Sequence, residues 1–219
     1  MSDLATLRGR VEVKIWDETN DVWSDDVIDA AIWEALDEYS QALPLAAEEV
    51  LTLAASGRTI DVSSLTGLLA ITRVYWPYDS SEEIWPPNLV RGFRLDWVAG
   101  DPYLVLTAYD GSEPQTGDEV KVWYTSRQTI EDLDSATETT VPAVHESLLV
   151  MGAAGHAVQG RSLDLLRISE VDADLVSKYE KWAEGRLKEF RASLELLKNA
   201  AARGGESWGT GWGLDKWEG

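Results

Sequence analysis

Leu4, Leu7, Val11 and Ile15 recur at steps of three and four, which places them on one face of a helix. The pattern predicts an amphipathic helix over residues 3–16, with Ser2 as its N-cap. The polar run Asp17-Glu18-Thr19-Asn20-Asp21 breaks it. Ser24 then opens a second helix, with Asp25 and Asp26 in the first turn, where carboxylates meet the positive end of the helix dipole. Ile28, Ile32, Ala35, Tyr39 and Leu43 form its apolar face, and Pro44 ends it.

From Val50 the period drops to two. Val50–Leu53, a turn at Ser56-Gly57-Arg58, and Thr59–Val62 suggest a hairpin. Ile71–Trp76 is a further strand, Phe93–Trp97 and Tyr103–Leu106 flank the turn Ala99-Gly100-Asp101-Pro102, and Val120–Tyr124 closes the series. About six strands therefore fall between two pairs of helices.

Helical spacing returns after a polar stretch over residues 127–140. Pro142 suits the first position of a third helix over residues 142–160, with Leu148, Leu149, Ala153, His156 and Ala157 on its apolar side. Ser169-Glu170-Val171-Asp172 resembles a capping box at the head of a fourth helix. Ala183, Leu187, Phe190, Leu194, Leu197 and Ala201 step along it by four and three, and Gly204-Gly205 is expected to stop it. At 1.5 Å per residue the helix is roughly 50 Å long, more than a compact bundle of this size needs. Its stripe reads equally as a self-burying bundle face or as a subunit-packing face built from Leu187, Phe190, Leu194 and Leu197.

The expected fold is α+β. A four-helix core is assembled from residues 1–47 and 141–203, an antiparallel β-domain over 48–126 is inserted between helices two and three, and 127–140 is a linker. Residues 204–219 form an extended, flexible tail in which Trp208, Trp212 and Trp217 are spaced among glycines.

Composition narrows the function. No run of about eighteen apolar residues is present, so no membrane span is expected, and the first residues lack the apolar core of a secretory signal. The chain has no cysteine, which excludes disulfides and thiolate chemistry and fits a cytosolic origin. Its formal charge is −20, and the first fifty residues carry half of the excess. Such acidity opposes a tight grip on nucleic acid, yet it is compatible with a surface that DNA passes without sticking. It equally describes any soluble acidic protein.

No catalytic constellation emerges, and neither a metal nor a cofactor is expected. His145 and His156 lack the i, i+4 spacing of a helical zinc pair and read as structural. Aligned to a calcium loop, Asp17 to Ile28 puts Val22 where the glycine is needed and Ile28 where the bidentate glutamate is needed. Gly152, Gly155 and Gly160 lack the lysine of a phosphate loop and read instead as a site of close helix approach. Glu82 and Glu83 beside Trp85 form only a chance carboxylate pair. Trp76, Tyr78 and Trp85 could make a platform for sugar rings, or a loop pinned over the sheet edge by aromatic burial.

Several stretches, taken in order, carry a resemblance. They are Leu4, Leu7-Arg8 and Arg10-Val11; Asp17, Trp23-Ser24-Asp25; Ala35-Leu36, Glu38-Tyr39-Ser40; Thr59 to Leu65; Val74-Tyr75-Trp76-Pro77-Tyr78; and Val141-Pro142, His145-Glu146-Ser147-Leu148-Leu149. Their order resembles the head-to-tail adaptor proteins of tailed phages, also called head completion proteins. The resemblance implies a structural virion protein rather than an enzyme. It would be assembled in the host cytoplasm into a neck ring, typically of twelve copies, beneath the portal protein. That ring lines the channel through which DNA leaves and offers its lower side to further neck and tail-completion proteins. Similar adaptors grip the portal with a C-terminal segment, which makes Trp208, Trp212 and Trp217 candidate portal anchors. The sizeable β-insertion departs from simpler, mostly helical members. A carbohydrate- or receptor-binding module using the aromatics of the insertion is the alternative.

Overall fold

The computed structural model describes residues 1–19, 21–81, 88–108, 113–165 and 173–209. The fold is α+β, with four helices and two small antiparallel sheets among the described residues. It divides into two compact units, one formed by residues 1–43 with the chain from Gln128 onward, the other by Pro44–Arg127.

In the helical unit, α1 (Leu4–Ile15) buries Leu4, Leu7, Val11 and Ile15, the four residues its periodicity marks. Its N-cap is Asp3 and not Ser2: the Asp3 carboxylate accepts the Thr6 N–H at 2.8 Å. Ser2 is instead bound to Glu146, donating both its N–H and its hydroxyl at 2.8 Å. α2 (Asp25–Ala42) starts after Ser24, whose backbone carbonyl, rather than its hydroxyl, takes the first helical bonds. Ile28, Ile32, Ala35 and Tyr39 are buried as expected, and Leu43 is half-buried.

The acidic connection between α1 and α2 is a folded turn. One Asp17 oxygen accepts the N–H of Asp21 at 3.0 Å, and the other accepts those of Val22 at 3.0 Å and Trp23 at 2.8 Å. Burial alone would raise the Asp17 pKa, but these three donors outweigh it and hold the carboxyl below its ordinary value. The turn seats Trp23, which is buried and donates its indole N–H to the carbonyl of Ala157 at 3.2 Å.

The stretch expected as a linker is packed. Ile130 and Leu133 belong to the helical core, as does Val141 just beyond the stretch, Leu4 N–H bonds the Glu131 carbonyl at 3.0 Å, and Thr139 donates to the Ser2 carbonyl at 2.8 Å. Polarity concealed this, because the few apolar residues of a polar stretch have no period to read. Pro142 precedes a short 3-10 turn (Ala143–His145), and α3 (Glu146–Leu165) follows.

α4 (Ala173–Gly209) is the longest element, 37 residues or about 55 Å. It continues through Gly204-Gly205 to Gly209 rather than stopping at the glycine pair. Glycine weakens a helix by about 1 kcal/mol relative to alanine but neither clashes nor loses a hydrogen bond, as proline would. The expected capping box at Ser169 lies outside the described residues. α3 and α4 meet where Gly152 and Gly155 lie: a Cβ at Gly152 would stand 2.9 Å from the Phe190 ring, and one at Gly155 would stand 2.9 Å from the Leu187 side chain. Gly160 has open space around it and plays no such part.

The β unit is built from β1 (Leu45–Thr52), β2 (Thr59–Asp61), β3 (Leu68–Tyr78), β4 (Gly92–Val98), β5 (Asp101–Ala108) and β6 (Glu119–Ser126). β1 and β2 do not form the expected hairpin. β1 pairs with β6 in a sheet of order β1-β6-β3, and β2 pairs with β5 in a second sheet of order β2-β5-β4. The turn between β1 and β2 therefore carries the chain from one sheet to the other. The β4–β5 hairpin does form, through a two-residue turn in which Ala99 (φ 55°) and Gly100 (φ 99°) both take the left-handed conformation that matches strand twist. Inward residues of both sheets, among them Val74, Trp76, Leu104, Leu106, Val120 and Val122, share one core.

Packing at the glycines can be tested directly. Gly152→Ala should lose about 1–3 kcal/mol in urea unfolding, because the new methyl has to displace the Phe190 ring. Gly160→Ala, with nothing in its way, should be neutral or gain up to about 1 kcal/mol from helix propensity. Equal losses at the two positions would contradict the close-approach account.

Candidate functional site

A groove of about 570 Å³ is walled by α1, α3 and α4. Its apolar surface comes from Val13 and Trp16 of α1 and its C-cap, Val150 and Met151 of α3, and Trp182 of α4. Three cations line it as well, Arg10, Lys14 and Arg186, and among the described residues no carboxylate lines it, although Arg10 and Arg186 are each paired with a carboxylate just outside the lining.

Each part has a local cause. Val13 and Trp16 lie off the stripe that α1 buries, so they are left on its outer side, and both are exposed, Trp16 by 83%. Trp16 ends the helix at φ 56°, with its N–H bonded back to the last-turn carbonyls. The Arg186 guanidinium lies 5.4 Å from the centre of the Trp182 ring and pairs with Glu189 at 3.0 Å. Arg10 is held by Glu146 at 2.8 Å. Burial opposes ionisation of Glu146, but the two donors of Ser2 and the Arg10 guanidinium prevail and keep its carboxyl below the usual range.

The remaining polar clusters hold helices together. Arg8 reaches Asp29 through two bonds of 2.9 and 2.6 Å and Asp25 at 2.8 Å, tying α1 to α2. Arg191 of α4 grips Glu38 of α2 with bonds of 2.8 and 2.7 Å, which holds the Glu38 carboxyl below its ordinary pKa. His156 stands between Glu34, 3.0 Å from Nδ1, and Glu38, whose oxygen lies 3.2 Å from Nε2. His145 Nδ1 is 2.6 Å from the hydroxyl of Tyr39, whose pKa is raised by burial. Among the described residues, no group of three or more histidine, aspartate or glutamate side chains is placed to hold a metal ion.

The structure places the sequence-derived candidates as follows. Leu187, Phe190 and Leu194 are buried in this chain's own core, so the stripe of α4 faces α3 and is not open to a second copy, while Leu197 is half-buried. Trp208 lies in the last turn of α4; Trp212 and Trp217 lie outside the described residues. Trp76 is only 4% exposed and belongs to the β core, which removes it as a sugar platform. Tyr78 is half-buried, and Trp85, Glu82 and Glu83 lie outside the described residues. The groove itself was missed. The signal for it was Val13 and Trp16, two apolar residues three apart on the face of α1 that its main stripe leaves free.

No family model matches the chain, and no curated protein does. Among solved structures, the chain is similar to one in the neck of an empty GTA particle computed with C6 symmetry. The two share 14% sequence identity, the alignment covers 82% of this chain and 87% of that one, and the TM-score is 0.32.

The carboxylates give a pH dependence of stability. Glu38 and Glu146 have folded-state pKa values below those of the unfolded chain, so their contribution is present above pH of about 4.3 and fades as pH falls through the folded values. Urea midpoints should fall between pH 5 and pH 3. Glu146→Gln should lower stability at pH 7 by about 2–3 kcal/mol, since Arg10 and Ser2 lose a charged partner, and should flatten that slope. An unchanged slope in the variant would show that Glu146 is not a source of it.

Proposed function

We propose that this chain is a structural neck protein of a tailed-phage-like particle. In this reading it is an adaptor whose copies form a ring, typically of twelve, beneath the portal. The ring extends the DNA channel and presents a docking surface to further neck and tail proteins. Its role is assembly and not catalysis.

One observation carries the reading. The short stretches whose order resembles head-to-tail adaptors pair with one another across the fold. Arg8 of the first stretch binds Asp25 of the second, and Arg10 binds Glu146 of the last. Asp17 holds the N–H of Trp23, and Tyr39 meets His145 at 2.6 Å. Contacts between the first, second and last of these stretches tie them into one scaffold. These residues make joints, which accords with a part that has to hold its shape under load. The acidic excess fits the same role, because a carboxylate-rich ring wall repels phosphate and lets DNA pass.

The test is native mass spectrometry of the full-length protein mixed with the portal ring of the same particle. The expected result is a complex carrying one copy per portal subunit. If the portal ring keeps its own mass at every mixing ratio, the adaptor reading is overturned.

A further inference from the structure

Residues 210–219, beyond α4, hold Trp212 and Trp217 among glycines, with Asp215 and Glu218 against the single base Lys216. The groove between α1, α3 and α4 offers complementary chemistry: tryptophan, valine and methionine side chains, with Lys14 on the rim and Arg10 and Arg186 beside it in pairs with Glu146 and Glu189. Its volume, about 570 Å³, lies in the range of pockets that bury small ligands, enough to take an aromatic anchor. Aromatic rings seated against apolar walls, with a cationic rim for the flanking acids, make a strong peptide site, and Trp16 and Trp182 are themselves the residue types that dominate such contacts.

Reach decides whose tail this is. Trp182 precedes Gly209 by 27 residues of continuous helix, about 40 Å, and even Arg186 is about 35 Å away. Trp217 lies eight residues beyond Gly209, so a fully extended chain carries it at most about 29 Å back. Trp212, three residues beyond, reaches about 11 Å. With α4 intact, a chain cannot put either tryptophan into the Trp182 end of its own groove. We propose that the groove receives the acidic, tryptophan-bearing segment 210–219 of a second copy of this chain. The inference deepens the ring reading above and rests on it: the tail becomes a latch between neighbouring subunits instead of a grip on the portal.

The chain contains no cysteine, which makes disulfide trapping clean. Full-length Lys14→Cys and full-length Leu214→Cys would be purified separately, mixed and oxidised, and the mixed dimer read by mass. It should exceed, by at least about tenfold, the dimer from a Val144→Cys and Leu214→Cys pair, since Val144 is exposed but outside the groove. Adding Trp212→Ala and Trp217→Ala to the tail-bearing partner should bring the yield down to that of the control pair. So should Trp16→Gly in the groove partner, a change that suits the positive φ at that position and leaves the fold intact. A mixed dimer no more abundant than the control overturns the proposal, as does a doubly substituted chain that closes its disulfide within itself. Because the trapping is done without portal, the two readings fail separately. A chain that joins the portal ring but gives only control-level dimer loses the latch and keeps the adaptor role, with the portal as the tail's occupant.

Discussion

The helical unit is made from two stretches of chain that the β insertion separates, and the whole architecture depends on how those stretches are locked. α1 and α2 expose apolar faces that stay wet until α3 and α4 arrive from the far side of the insertion. The lock is partly ionic. Glu146 at the head of α3 binds Ser2 and Arg10, Arg191 of α4 binds Glu38 of α2, and the Trp23 indole bonds the Ala157 carbonyl. It is also steric, because Gly152 and Gly155 remove the Cβ atoms that would hold α4 away from α3. That close approach takes Leu187, Phe190 and Leu194 inside, so the long helix spends its apolar stripe on its own subunit.

This has a consequence for self-association. With the stripe buried, the surface left for other molecules is set by residues outside it, and in a chain of net charge −20 that surface is acidic on balance. Arg8 and Arg191 are committed to joints; Arg10 serves a joint and the groove wall together, and Arg186 pairs with Glu189 on its own helix beside the groove. Because the groove draws its cations from the same elements that lock the core, it comes ready-formed, and a peptide entering it meets walls already fixed in place.

Much of this was legible in the chain. The α1 stripe, the buried face of α2, the β4–β5 hairpin and the glycine-mediated approach of α3 and α4 follow from periodicity and residue size, which are local properties. What escaped depends on partners far along the chain. Whether β1 pairs with β2 or with β6 is a choice between sheets that turn residues do not decide. Ser2 and Asp3 are both good caps, and only the position of Glu146, more than a hundred residues away, makes the first a tether and the second the cap. Ile130 and Leu133 sat in a stretch without a period because the faces they pack against are elsewhere. The groove was least visible, since it belongs to three helices and to none of them alone.

Electrostatics then constrains when copies could join. Two chains of charge −20 repel at long range, but at physiological salt that repulsion is screened beyond about 8 Å. The groove's cations act within that distance, so a tail already close is drawn in while distant subunits gain nothing. A contact of this kind is weak between free molecules and strong between molecules held side by side, because tethering raises the effective concentration of each tail near its neighbour's groove. It also passes a segment of one copy to a different surface of the next, a heterologous contact that closes into a ring when the rotation allows.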